Sequence, residues 1–259
     1  MTDDVRVIRI VSWNLNHRVG MTRFRPEAVD AAIALKADVL CFNEYFAQNN
    51  AKHFESRLAE GGWVHQIVSP PTSERANRVL IAARMPIQRD RLKLPKFDQQ
   101  FPANILSVRL PEPGLRLLAL RVPWYATAAL RTQSWDWIES AAVALGVDAA
   151  IIIGDLNVPL EPRIKKAANP LRRLQDRGWT LATPAKTSSY FSHRGARSTL
   201  DHLFHTASVA VTRASFVECA GGHVLAGTPE ALSDHAALVA DVRTRPASRT
   251  ESSTARKLA

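Results

Sequence analysis

Apolar residues follow two different patterns along this chain, and these patterns distinguish the predicted strands from the predicted helices. Short apolar or β-branched runs between polar, Gly or Pro residues indicate strands, and apolar residues three or four apart indicate helices. The strand pattern covers Val5–Trp13, Asp38–Asn43, Trp63–Val68, Arg78–Ala83, Ile87–Leu94, Asn104–Leu110, Leu115–Leu120, Asp148–Ile153, Thr199–His205, Val209–Val217 and Ala236–Val242. The helix pattern covers Pro26–Ala37, Ala51–Glu60 and Ala126–Leu145, and basic loop and helical material fills Pro162–Gly178.

Local signals agree with this order of elements. Pro26 suits the first turn of a helix, and Gly61 and Gly146 end the next two. In the predicted strand 148–153, every residue after Asp148 is apolar, which predicts a central strand buried on both faces. The chain has no tandem repeat and no linker, so residues 1–242 are predicted to form one α/β domain with mixed strands inside and helices outside.

Five polar clusters lie at the ends of these predicted strands. They are Ser12-Trp13-Asn14-Leu15-Asn16, Asn43-Glu44, Gly154-Asp155-Leu156-Asn157, Ser198-Thr199-Leu200-Asp201 and Ser233-Asp234-His235. If strand geometry persists through the first and third clusters, residues two apart point the same way. Asn14 would then project with Asn16, and Asp155 with Asn157. Together the clusters predict one divalent-metal phosphoesterase site.

The residue types in these clusters suit phosphoester chemistry. A hard cation such as Mg²⁺ or Mn²⁺ prefers oxygen ligands, and we expect Glu44 to be the principal one, helped by Asn16 and Asp234. Asp201 can hold the second nitrogen of His235, which forms a pair that manages protons or charge at a phosphate. Asn157 can donate a hydrogen bond to phosphoryl oxygens as charge builds on them.

In their combination and order, these motifs resemble the endonuclease/exonuclease/phosphatase superfamily. The resemblance extends from Val7 to Val242, and it implies a DNase I-like two-sheet α/β sandwich with helices on the outer faces. It also implies that Asn14, Asn16 and Glu44 surround the metal and that Asp155 orients or deprotonates the attacking water. Asn157 would stabilise the transition state, and Asp201 would pair with His235, which contacts the phosphate.

Three positions depart from the pattern of that superfamily. Asn43 stands where Gln is usual, and Asn16 stands where many relatives have Asp, which removes one negative charge near the metal. Arg121 stands where AP endonucleases and DNase I-like enzymes carry Tyr or His. Arg can clamp a phosphate through two parallel hydrogen bonds but cannot act as an acid at neutral pH. This change weakens assignment to the AP-endonuclease subgroup.

Other polar and aromatic residues have competing interpretations. In a strand, His202 and His205 lie on opposite faces, so we expect packing or solvent roles rather than a zinc pair. Trp135 and Trp137 are predicted to be core or interface residues. Trp124 and Tyr125 follow Arg121 directly and are equally consistent with packing and with base stacking. The basic residues 163–173 form either a solvated face or a polyanion contact near the Asp155 loop.

Charge and cysteine content narrow the functional classes. The chain has 259 residues and a net charge of +10, of which +4 falls in residues 243–259. That stretch lacks apolar periodicity and is predicted to be a disordered basic tail. Nucleic acid is therefore the favoured partner. Two cysteines cannot form a disulfide framework, and we expect Cys41 to be a small buried hydrophobe. A cytoplasmic monomer with no membrane association is expected, since no apolar run is long enough to span a bilayer.

The leading hypothesis is a phosphodiesterase that uses Mg²⁺ or Mn²⁺ and cleaves nucleic acid. One alternative is hydrolysis of a small phosphorylated molecule or a lipid headgroup. The other is a nucleic-acid-binding protein that keeps the fold without catalysis, an alternative that Arg121 and Asn16 keep open.

Overall fold

The computed structural model describes residues 6–17, 25–46, 50–73, 76–98, 100–124, 127–160, 169–185 and 187–244. The strands in these ranges are β1 (Ile8–Asn14), β2 (Val39–Tyr45), β3 (His65–Val68), β4 (Arg78–Ala83), β5 (Gln88–Arg89), β6 (Ile105–Leu110), β7 (Leu115–Leu120), β8 (Ala150–Asp155), β9 (Thr180–Leu181), β10 (Tyr190–Phe191), β11 (Arg197–Ser198), β12 (Asp201–His205), β13 (Val209–Val217), β14 (Cys219–Ala220), β15 (His223–Val224) and β16 (Ala237–Thr244). The helices are α1 (Glu27–Ala34), α2 (Ala51–Glu60), α3 (Ala128–Leu145) and α4 (Pro170–Asp176), with a 3₁₀ turn at Phe101–Asn104.

Two six-stranded sheets form the centre of the molecule. Their strand orders are β13-β16-β1-β2-β4-β3 and β5-β6-β7-β8-β12-β9. The pairs β1–β2 and β7–β8 are parallel, and the other pairs within these sheets are antiparallel. Each sheet therefore has a parallel pair near its centre with an antiparallel strand beside it.

Three hydrophobic clusters hold the layers together. Ile10, Ile81 and Ile153 belong to the cluster between the two sheets. A second cluster packs α1 and α2 against the outer face of the first sheet, and a third packs α3 and α4 against the second sheet. The molecule is thus a two-sheet α/β sandwich with helices on its outer faces, and the predicted fold class is confirmed.

The predicted central strand 148–153 is β8, which is buried along its whole length. The predicted strand Ile87–Leu94 is mostly wrong, because only Gln88–Arg89 pairs with β6. Beyond Asp90 the chain leaves the sheet, and Leu92 and Leu94 pack against the α3 cluster. The apolar positions that suggested a strand therefore reflect packing against a helix. The other two-residue strands were not predicted, since they are too short to show a period.

The C-terminal strand extends slightly beyond the predicted domain boundary. Arg243 and Thr244 were assigned to the tail, but they belong to β16 and pair with Ala210 and Val209. The rest of the tail lies outside the described residues, so its predicted disorder stays a prediction. In the described ranges, no helix is long and apolar enough to cross a membrane.

The five polar clusters meet at one end of the sandwich because of how the strands run. The carboxyl ends of β1, β2, β7 and β8 lie there, and so do the starts of the antiparallel strands β12 and β16. Asn14 pairs with Asn43 in the first sheet, and Asp155 pairs with Asp201 in the second. A hydrogen bond from Nδ2 of Asn14 to Oδ2 of Asp155, 3.0 Å long, joins the two sheets at this end.

Candidate active site

Two similar turns hold the amide side chains at the ends of the central strands. The backbone N–H of Asn16 donates to Oδ1 of Asn14 at 2.9 Å, and the N–H of Asn157 donates to Oδ1 of Asp155 at 3.0 Å. Asn16 and Asn157 adopt positive φ angles of 48° and 51°, a conformation that Asn tolerates better than most residues. The condition under which each pair was expected to project together is therefore not met, since Asx turns end both strands.

The second turn still brings its two polar side chains together. Nδ2 of Asn157 lies 3.1 Å from Oδ2 of Asp155 and also donates to the carbonyl of Val122 at 2.6 Å. The first turn does not do the same, because Asn16 lines a neighbouring cavity of about 440 Å³. Asn14 instead lies buried between the sheets, where its Nδ2 also donates to Glu44. Asn14 therefore positions the two carboxylates.

Gly154 allows Asp155 to approach the neighbouring strand. Its φ is +143°, and a Cβ atom there would lie 1.9 Å from the carbonyl oxygen of Leu120. A glycine is therefore required directly before Asp155. This is the physical reason for the glycine in the Gly-Asp-Leu-Asn motif.

The regular strand conformation of β2 is interrupted at Glu44, whose side chain faces the site. It adopts a φ of 53°, which is rare for a non-glycine residue, and the register between β2 and β4 shifts between Phe42 and Tyr45. Its Oε1 atom lies 2.7 Å from Nε of Arg121, and its Oε2 atom lies 2.6 Å from Nε2 of His17. Burial opposes ionisation, but these two partners outweigh it and lower the pKa of Glu44 to about 2.

Arg121 brings a positive charge between the carboxylates of the two sheets. Its Nε atom also lies 3.6 Å from Oδ2 of Asp155. That N–H makes no hydrogen bond with acceptable geometry, so its contact with Glu44 is electrostatic rather than directed. The backbone of the next residue is fixed, because the N–H of Val122 donates to the carbonyl of Asp155 at 2.9 Å.

His235 and Asp201 form the predicted pair. Nδ1 of His235 lies 2.7 Å from Oδ2 of Asp201, and both residues are buried. Burial alone would lower the pKa of His235, but Asp201 overrides it and raises that pKa well above the ordinary value. The other ring nitrogen lies 4.0 Å from Oδ1 of Asp234. The surroundings of His235 therefore favour its positively charged form next to the cavity.

Negative charge is concentrated around this end of the sandwich. Asp155 is fully buried, and burial together with the charges of Asp201 and Glu44 raises its pKa well above the usual range, although His235 and Arg121 oppose that shift. Burial is also the main cause of the raised pKa of Asp234. At both positions the charges of neighbouring carboxylates add to the effect of burial.

A cavity of about 550 Å³ connects these groups. Six of the nine predicted site residues line it, namely Glu44, Arg121, Asp155, Asn157, Asp234 and His235. Its other walls are Trp124, Pro159, Tyr190, Ser198 and Leu200. Of the remaining three, Asn14 lies between Glu44 and Asp155, Asp201 lies behind His235, and Asn16 lines the adjacent cavity.

Several supporting residues were not predicted. His17 had no visible partner in the sequence, yet it contacts Glu44. Ser189 accepts hydrogen bonds at its Oγ from the N–H groups of Leu200 and Asp201. Ser233 donates to the carbonyl of Asn14 and accepts from the N–H of His235. Only Ser233 and His17 had a sequence signal, which was their position within or next to a polar cluster.

Two further side chains hold His235 in place. The indole N–H of Trp13 donates to the carbonyl of His235 at 2.8 Å, and Trp13 is fully buried. The ring of Tyr190 packs on the imidazole with centroids 5.1 Å apart. The loop that carries His235 is therefore fixed by the first sheet on one side and by the β10 hairpin on the other.

Outside the site, His202, Trp135 and Trp137 pack within the protein, as predicted. His202 is buried, with Nε2 2.7 Å from the carbonyl of Val158 and Nδ1 3.1 Å from the hydroxyl of Thr183. Trp135 is 4% exposed, and Trp137 packs against the same cluster. Cys41 is buried, as expected. Tyr125 and residues 161–168 lie outside the described residues.

The donor set has the chemistry that a hard cation needs. Glu44 and Asp234 line one cavity with carboxylate oxygen atoms, the ligand type that a hard cation prefers. Both oxygens of Glu44 already contact positively charged or protonatable groups, however. Among the described residues, no three His, Cys, Asp or Glu side chains stand in a ready metal-binding group. A cation at this site would therefore share Glu44 with Arg121 and His17.

Comparison with known proteins places the chain in a family. The model of the Endonuclease/Exonuclease/phosphatase family matches residues 11–235. The chain belongs to this family. The matched range contains all nine predicted site residues. A comparison with curated protein sequences found no match.

Solved structures of this family share the fold. An endonuclease/exonuclease/phosphatase from Beutenbergia cavernae superposes with a TM-score of 0.71 and 15% identity over 93% of this chain and 72% of that one. The 3' phosphatase NExo from Neisseria, solved with a product DNA hairpin, has a TM-score of 0.66 and 16% identity over 90% and 98%. An AP endonuclease from Archaeoglobus fulgidus has a TM-score of 0.61 and 18% identity over 90% and 98%.

Proposed function

We propose that this chain is a divalent-cation-dependent phosphodiesterase that hydrolyses nucleic acid. The observation that carries the proposal is the pairing of His235 with Asp201 at a cavity that Asp155, Asn157 and Arg121 also line. A proton acceptor, hydrogen-bond donors and two cations around one cavity are the groups that phosphoester hydrolysis needs. The family includes hydrolases of this type, so the chemistry is in keeping with the fold.

In this mechanism the two positively charged side chains bind the phosphate. His235 is held as an imidazolium by Asp201 and directs its other nitrogen towards the space beside Asp234. Arg121 lies across the site near Asp155 and Glu44. Negative charge that develops on the phosphoryl oxygens is stabilised by both cations.

Asp155 takes the proton of the attacking water. Its raised pKa gives it a proton affinity suited to a base near neutral pH. Hydrogen bonds from Asn14 and Asn157 to Oδ2 hold the carboxylate in one orientation. Asn157 has a second N–H, which already donates to the carbonyl of Val122, so its first task is to orient Asp155 and the loop of Arg121.

A Mg²⁺ or Mn²⁺ ion would be held by Glu44 and Asp234, and when bound it supplies positive charge to the phosphoryl oxygens. The predicted ligand Asn16 lines the next cavity, which borders the same Asp234. Asn14 was predicted near the metal as well, but its Oδ1 atom accepts the N–H of Asn16.

Two grounds support nucleic acid as the substrate, the net charge of the chain and its similarity in fold to a protein solved with DNA. The chain carries a net charge of +10, which favours polyanionic partners. The similar Neisseria protein was solved with a DNA hairpin. The competing candidate is a nucleic-acid-binding protein without catalysis, and the occupation of both Glu44 oxygens by Arg121 and His17 favours it.

The deciding experiment measures hydrolysis of bis-p-nitrophenyl phosphate and of p-nitrophenyl phosphate with Mg²⁺, with Mn²⁺ and with EDTA. Metal-dependent cleavage of the diester, together with cleavage of an oligonucleotide, supports the proposal. Cleavage of the monoester alone would favour a small-molecule phosphatase. Oligonucleotide binding with no cleavage of either ester would favour the non-catalytic candidate.

A further inference from the structure

Trp124 is exposed in a way that the fold does not explain. Its relative exposure is 74%, whereas Trp13, Trp63, Trp135 and Trp179 are buried. Among the described residues, the other exposed large hydrophobic side chains are all valines. An exposed indole offers a large apolar face and an N–H donor to a ligand.

The exposed ring stands at the wall of the candidate active site. Trp124 lines the 550 Å³ cavity together with Arg121 and Asp155. The backbone leading to it is fixed, since the N–H of Val122 donates to the carbonyl of Asp155 and the carbonyl of Val122 accepts from Asn157. The segment that carries Trp124 is therefore tied at Val122 to the loop of Asp155 and Asn157.

A cation lies against the same ring. The guanidinium carbon of Arg131, in the first turn of α3, is 5.8 Å from the Trp124 ring centroid. An arginine beside an aromatic face is a common element of sites that stack bases and follow a phosphate backbone. Pro159 and Leu200 add an apolar wall to the cavity, which suits a sugar.

We propose that Trp124 stacks on a nucleobase next to the scissile phosphate, so that the preferred substrate is a single strand or an unpaired strand end. The inference rests on the proposed function, because it assigns the substrate class of the same site. An indole can stack on any base, but only where that base has left the duplex stack. Within a duplex the bases are stacked on both faces except at the two ends, whereas single-stranded DNA or RNA offers open base faces along its length.

The test is a cycle that combines a protein variant with a substrate variant. Wild type and Trp124→Ala are compared on a single-stranded oligonucleotide with a normal base or with an abasic residue at the positions flanking the cleaved bond. For wild type, removal of the base that stacks on Trp124 should raise KM by at least about fivefold, the lower end of what base stacking contributes. In Trp124→Ala, removal of that base should change KM little. In Trp124→Phe, most of the difference in KM between the normal and the abasic oligonucleotide should return.

A binding measurement provides a readout that needs no turnover. Stacking should quench the fluorescence of the exposed indole when a single-stranded oligonucleotide is added, and Trp124→Phe should lose that quenching. Val143→Ala, an exposed substitution on α3, is the matched control and should behave as wild type. Blunt duplex of the same sequence should quench less.

Equal effects of base removal in wild type and Trp124→Ala would overturn the proposal, as would equal affinity for duplex and single strand. Those outcomes leave the proposed hydrolysis intact if the generic diester is still cleaved. Quenching by single strands without cleavage of any ester would instead support the stacking role and reject the enzyme. A ring that responds only to lipid vesicles would also reject base stacking.

Discussion

The Nε atom of Arg121 lies 2.7 Å from Oε1 of Glu44, and both side chains are largely removed from solvent. The two residues come from different sheets, Glu44 from β2 and Arg121 from the end of β7. The guanidinium therefore lies where the family resemblance implies a metal, beside the carboxylate that is its expected ligand. This relationship determines how the variants at both positions should behave.

Arg121→Lys should reduce kcat/KM for a phosphodiester by at least about tenfold, since an ammonium cannot reproduce the planar arrangement of guanidinium donors. The pH optimum should stay unchanged, because Arg does not titrate near neutrality. Arg109→Lys, on an exposed position of β6, is the control. A shifted limb of the pH–rate profile with the rate otherwise intact would assign Arg121 to proton transfer instead.

Asp155→Asn and His235→Ala should each lower kcat by at least about 100-fold, the usual size of base and phosphate-stabilising contributions. Thermal unfolding and circular dichroism establish that each variant is folded. Asp136→Asn, at an exposed position of α3, is the matched carboxylate control. Near-wild-type rates in folded Asp155→Asn would move the base elsewhere.

Glu44→Gln should weaken Mg²⁺ or Mn²⁺ binding, because the amide removes the negative charge that a hard cation needs. Calorimetric titration of the metal measures this directly, and a higher metal concentration should restore part of the activity. If the metal dependence of Glu44→Gln equals that of wild type, the ligand role belongs to another residue.

Gly154→Ala should lower the free energy of unfolding by about 2–5 kcal/mol. The positive φ is strained for alanine, and the added Cβ also clashes with a backbone carbonyl oxygen. The added Cβ would lie 1.9 Å from the Leu120 carbonyl oxygen. Gly178→Ala is a close control, since its φ is +87° with nothing within 4 Å of the added Cβ. It should cost only about 1–2 kcal/mol. Equal losses in urea unfolding would contradict the overlap.

His202 should make the fold sensitive to mild acid. Burial lowers its pKa from 6.5 to about 4, so the unfolded chain binds more protons between those values. Its stabilising effect is complete above pH 6.5 and is lost as pH falls towards 4. At pH 5 the loss amounts to about 2 kcal/mol. His202→Gln should reduce the difference in unfolding free energy between pH 7 and pH 5 by about that much, and an unchanged difference would contradict this.

The sequence by itself determined the central elements of the fold. The period of the apolar residues located β1, β2, β4, β8 and their partners, because a strand or helix must bury one face and its residues record that need locally. The same reasoning placed the polar clusters at strand ends, and five of the eight predicted site residues within them line one cavity. It was wrong where a local pattern had another cause, as at Leu92 and Leu94, whose apolar side chains pack against a helix.

Only the tertiary structure decided which charges meet. His17 and Arg121 are 27 and 77 residues from Glu44 along the chain, and nothing in their local sequence records the contact. Asx turns end the strands at Asn14 and Asp155, since in each turn a side-chain oxygen accepts the N–H of the residue two positions on. Local periodicity reports which face a residue buries. Distances between charged atoms depend on how two sheets pack, and that is a property of the whole chain.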